Sequence, residues 1–161
     1  MKNQDFTTSI LVEQPPKEAF KAIINPRGWW SEEIEGDTDN LNDVFHYHFE
    51  DVHSCQIKLI EIVPGRKVVW LIQDNHFNFT KDKTEWVDTK VVFEISTQGE
   101  KTQVRFTHLG LVPDYECYDA CHQGWTHYIQ KSLQNFITTG KGEPNKTGKA
   151  QTETEKKLIS K

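Results

Sequence analysis

The longest run of regular hydrophobic spacing lies between Tyr115 and Thr139. There Cys117, Cys121, Trp125, Tyr128, Ile129, Leu133 and Phe136 recur at intervals of three and four. That spacing draws one apolar stripe along a helix. Asp119, His122, Gln123, Lys131 and Gln134 fall on or near the other side. Asp114, after Pro113, is placed to cap the helix start, and Gly140 to end it. Nearly everything earlier in the chain reads as strands. Phe6 to Val12 predicts a first strand, ending at Pro15-Pro16. Pro16 suits the first position of a helix, because its missing N–H would have no partner there. Ala19, Phe20, Ile23 and Ile24 give that helix its apolar face, and Asn25-Pro26 stops it.

Ile34 to Gly36 reads as a short strand. Val44 to Phe49 alternates, with Phe45, Tyr47 and Phe49 on one face and His46 and His48 on the other. Cys55 to Val63 is a strand whose parity switches at Leu59-Ile60, which a bulge or burial on both sides would explain. After the Pro64-Gly65 turn, Lys67 to Gln73 returns through Val68, Trp70 and Ile72. The polar stretch from Asp74 to Asp88 carries His76, Phe77, Phe79 and Trp86, so it predicts a folded loop. Thr89 to Thr97, a Gln98-Gly99 turn and Gln103 to Leu109 form a hairpin. The fold class is therefore α+β. A strongly curved antiparallel sheet of six or seven strands wraps around a long C-terminal helix, with two short helices after the first strand. A sheet with one apolar face needs such a cover, and the arrangement leaves room for a hollow beneath it. Trp29-Trp30 belongs to the second short helix or turn, where the indoles close the core or form a lid.

Charge narrows the partners. The chain has 161 residues and a net charge of -5, a size that fits one domain. Residues 141 to 161 hold six Lys, three Glu and no aromatic residue. They read as a polar, disordered tail after a domain spanning residues 1 to 140. The tail's charge of +3 leaves about -8 on the rest, which argues against binding nucleic acid or an anionic membrane surface. No segment has membrane-spanning length, so no membrane insertion is expected. With no signal peptide and an odd number of cysteines, the expected compartment is the cytoplasm.

Candidate chemistry is sparse. Cys117, Cys121 and His122 read as part of the helix stripe and its flank rather than as a metal site. His46 and His48 have the spacing of a chelate but read as solvent-facing. No metal, cofactor or catalytic residue is assigned. His108 shares its strand face with Val104 and Phe106, so it is expected inside the core, either bonded to the protein or, with Tyr128, orienting a ligand.

Several features recur in a telling order. They are the strand-Pro-Pro-helix start with Phe20, Trp29-Trp30, and the turn from Ile62-Val63-Pro64-Gly65 to Val69-Trp70. Phe106-Thr107-His108-Leu109-Gly110-Leu111 follows, then Gly124-Trp125, Tyr128-Ile129, Ser132-Leu133 and Gly140. Over about residues 5 to 145 the chain resembles the START-like or SRPBCC superfamily, the helix-grip fold, and within it the branch homologous to the activator of heat-shock protein 90 ATPase. The resemblance implies a hydrophobic pocket between sheet and last helix that takes small apolar or amphipathic molecules, but no one chemistry; the leading reading is binding without catalysis. The pocket walls would be Trp29, Trp30, Phe45, Tyr47, Trp70, Phe93, Phe106, His108, Trp125, Tyr128 and Ile129. Two alternatives stand beside it: a cyclase- or hydrolase-like enzyme using His108, and an interaction domain whose partner is a chaperone. A monomer and a homodimer are both compatible.

Overall fold

The computed structural model describes residues 5–32, 34–49, 53–77, 86–111 and 118–144. Strand β1 (Phe6–Val12) leads through helix α1 (Pro16–Ile23) and a 3₁₀ turn (Pro26–Gly28) to β2 (Val44–Phe49). Then follow β3 (His53–Val63), β4 (Lys67–Phe77), β5 (Lys90–Gln98) and β6 (Lys101–Leu109). The six strands form one antiparallel sheet in the order β1-β6-β5-β4-β3-β2. The expected strand at Ile34–Gly36 is reduced to one bridge, Glu35 to His46.

Alternation decides which side chains face inward. Phe45 and Tyr47 of β2, Trp70 and Ile72 of β4, Phe93 of β5 and Phe106 and His108 of β6 are all buried. The β3–β4 register slips between Gln56 and Ile57 and again between Leu59 and Glu61, so Ile60 has no opposite residue. That second slip is the parity switch seen in the sequence. β4 runs past Gln73 to Phe77, and its parity switches at the first slip, which leaves Gln73 without an opposite residue: Ile72 and Asn75 are both buried, three residues apart, while Asp74 and His76 are exposed.

The covering helix is interrupted. It runs as α2 (Tyr118–His127), one π-helical stretch (Tyr128–Leu133) and α3 (Gln134–Thr139). The predicted cap Asp114 and the predicted stripe residue Cys117 lie outside the described residues. A π turn carries an extra residue, which rotates everything after it relative to an α register. Ser132 and Leu133 are therefore both buried, and Ile137 takes the inner line expected of Phe136. Phe136 instead lies over Gly28, where any side chain would strike its ring. Gly140 closes the helix in the left-handed region, φ 82°, and its N–H donates to the Phe136 carbonyl at 3.0 Å. From there to Pro144 the chain stays packed: the Glu143 N–H donates to Ser132 Oγ at 2.6 Å, and Pro144 is buried.

Candidate functional site

Every residue named above as a pocket wall is buried, none more than 4% exposed. Most join one connected set of rings. Trp30 stacks on Tyr47 with centroids 4.0 Å apart and meets Trp70 at 5.6 Å and Trp125 at 5.0 Å. Trp70 in turn contacts Trp29, Phe45 and Phe93. Phe106 links Phe93 to Trp125. These are ordinary contact separations for aromatic pairs, so these rings touch one another. Tyr128 has its ring against His127, and Ile129 packs in the same core.

Sequence reasoning missed three members of this interior. Trp86, taken for part of a polar loop, stacks on Trp125 at 5.7 Å. His53 precedes the expected start of β3, yet its ring meets Trp86 at 4.5 Å and its Nε2 bonds to Asn75 Oδ1 at 2.7 Å. Asn75 was hidden in the same polar stretch as Trp86. The available signal was the density of aromatics between residues 74 and 88, which no soluble loop needs.

The hydrogen bonds around His108 settle its protonation. The Trp125 indole can only donate, and it donates to His108 Nδ1 at 3.1 Å. Nδ1 is therefore the acceptor, and Nε2 carries the hydrogen toward Thr89 Oγ1 at 2.8 Å. The Thr89 hydroxyl passes the chain on to the Trp86 carbonyl at 2.5 Å. Neutral imidazole satisfies every atom in this relay; a protonated ring would set two donors face to face at Nδ1. Burial, with His53 adding in the same direction, lowers the His108 pKa from 6.5 to about 3. Burial likewise lowers His53 to about 3, against the opposing bond to Asn75. The Cys55 thiol is pushed far up by burial and by the Asp74 carboxylate, so it stays protonated and unreactive.

One buried polar atom stands out. The Trp70 Nε1–H, at the centre of the ring cluster, has no hydrogen-bond partner among the described residues. By contrast, Trp29 Nε1 donates to the Ala22 carbonyl at 3.0 Å, and buried Ser132 donates to the Trp29 carbonyl at 2.6 Å.

Residues 13–138 match the sequence profile described as activator of Hsp90 ATPase homolog 1-like protein. This chain belongs to that family. Solved structures agree on the fold. The solution structure of the Aha1 dimer from Colwellia psychrerythraea is 21% identical, with a TM-score of 0.69 over 86% of this chain and 99% of that one. Protein MLL2253 from Mesorhizobium loti is 12% identical, with a TM-score of 0.62 over 98% and 97% of the two chains. DynU16, a protein in the dynemicin biosynthetic locus, is 14% identical, with a TM-score of 0.63 over 88% of this chain and 49% of its own. Among curated proteins none matches. The family member described here therefore has the helix-grip architecture, and no helix among its described residues is long and apolar enough to cross a membrane.

Proposed function

We propose that this protein binds a small amphipathic molecule between the sheet and the C-terminal helix, without transforming it. The observation that carries this reading is the orphan Trp70 Nε1–H. A buried donor left without a partner costs about 1–3 kcal/mol, and an acceptor atom on a bound molecule would recover that. The surrounding rings supply the apolar surface such a molecule needs. Entry requires the rings to part, and the π stretch Tyr128–Leu133 is the place where the covering helix departs from regular hydrogen bonding. His108 acts here by holding Trp125 rather than by touching the guest, since both of its nitrogens are engaged within the protein. The same engagement weighs against the enzyme alternative, because an acid or base needs a nitrogen that faces its substrate.

The test pairs two probes on the purified chain. A long-chain alcohol carries an acceptor oxygen, and the matching alkane does not. Quenching or enhancement of tryptophan fluorescence should report binding of both, and Trp70→Phe should weaken the alcohol selectively. Failure of the alcohol to bind, or equal weakening of both probes, would overturn the proposal. A second reading rests on the family description: association with an Hsp90-type chaperone. Stimulation of the chaperone's ATP hydrolysis by this chain supports it; no change in that rate rejects it.

A further inference from the structure

The outer face of the sheet at its β2 edge carries a second cluster, separate from the aromatic interior. Strand register builds it. His46 stands opposite Gln56, and Gln56 opposite Asp74; His48 stands opposite Ser54, and Ser54 opposite His76. Residues two apart on a strand share a face. His46 and His48 on β2, and Asp74 and His76 on β4, thus occupy the corners of one rectangle, with Gln56 and Ser54 between them. Glu35, bridged to His46 across the β2 edge, extends the first row. All of these residues line one cleft of about 320 Å³. Among its lining residues there is no Lys or Arg to neutralise the two carboxylates.

We propose that His46, His48, Asp74 and His76 bind a divalent transition-metal ion, with zinc as the first choice. Imidazole nitrogen and carboxylate oxygen are ligands that zinc takes, at about 2.0–2.2 Å and in a tetrahedral array. Neighbouring strands lie about 4.7–4.9 Å apart, so β2 and β4 are separated by about 10 Å. Two imidazoles leaning inward from either side span that gap, with the short Ser54 side chain standing between His48 and His76 in the strand register. The first row is already arranged as an outer shell. Gln56 Nε2 donates to Gln73 Oε1 at 2.9 Å, which turns Gln56 Oε1 toward His46 Nε2 at 3.0 Å. His46 therefore holds its hydrogen on Nε2 and keeps the Nδ1 lone pair for a metal, the usual second-shell device. Among the described residues the donors do not form a ready-made cage. Closure comes from rotation of the exposed His76 side chain, which crosses low rotamer barriers in solution, while His46 keeps its bond to Gln56. A bound ion would clamp β2 to β4 over β3 and so hold Tyr47, which lies between His46 and His48 and faces Trp30 on the inner side.

The test is calorimetric titration of untagged, metal-stripped protein with zinc chloride, followed by absorption spectroscopy with cobalt(II). One ion per chain is expected, with visible cobalt bands and no thiolate charge-transfer band in the near ultraviolet. His48→Gln and His76→Gln should each weaken binding by about tenfold or more, the size of effect even outer-shell changes produce. His122→Gln, away on the helix, should leave it unchanged. All three positions are outside the buried core, and unchanged circular dichroism confirms folding. Asp74→Asn serves as a second probe should either histidine variant fail to fold. Absence of binding at submillimolar zinc, a thiolate band, or equal affinity in the cleft variants would overturn the assignment.

Discussion

Acid should unfold this protein through His108. The folded ring is held neutral, with its pKa lowered from 6.5 to about 3 by burial, whereas the unfolded chain titrates normally near 6.5. Above the unfolded pKa the ring is neutral in both states, so stability there does not change with pH through this group. As the pH falls below that value, only the unfolded chain takes up a proton, and stability drains away until the folded pKa is reached. By linkage, about 2 kcal/mol is lost on going from about pH 7.5 to about pH 5, and about 5 kcal/mol by the end of the window. Urea denaturation followed by tryptophan fluorescence measures this directly. With an m-value of about 2 kcal/mol/M, the midpoint should fall by about 1 M over the first interval. The comparison is His108→Gln, which is less stable at neutral pH because one side of the relay is lost, but has no ring to titrate. Its midpoint should move much less with pH. His53 pulls the same way; as a residue it is only half-buried, so its share is smaller, and it titrates in both proteins. Parallel midpoint curves for wild type and variant would refute the reasoning, because His108 would then not be the group that acid protonates on unfolding.

Trp125→Ala should cost about 3–5 kcal/mol in chemical denaturation, since it removes a packed indole and the donor on His108 Nδ1; a loss near zero would contradict the inward placement of that helix face. Ser132→Ala strips the Trp29 carbonyl and the Glu143 N–H of their partner. It should cost about 1–3 kcal/mol, and a thermal melt no lower than wild type would show those bonds to be idle. Deleting Lys146 to Lys161 leaves the Ser132–Glu143 contact intact and should leave the melting temperature nearly unchanged; a large drop would place the tail against the domain.

The strands were legible because a half-buried strand writes its own two-residue rhythm, and even the skipped Ile60 showed as a change of parity. The far end of β4 was not legible. Its inward residue is Asn75, whose burial depends on His53 from another strand, and no local pattern announces a long-range hydrogen bond. The π stretch was equally silent, because Tyr128, Ile129, Leu133 and Phe136 satisfy a helical spacing whether or not one residue is extra. Most of the aromatic interior could be named in advance, since large rings on the inner parity have nowhere else to go. That His108 bonds to Thr89 and Trp125, and that His76 and Asp74 complete the outer row begun by His46 and His48, required the register between strands far apart in sequence.

The extra residue in the terminal helix also sets where this chain can change length. Removing one residue from a regular helix swings all that follows by about 100°, which would here turn Ile137 out of the core. Removing one from Tyr128–Leu133 instead lets the loose turn tighten into ordinary α geometry, and both flanks keep their present faces. Within this helix, a one-residue deletion should therefore be survivable at this joint and ruinous a turn to either side.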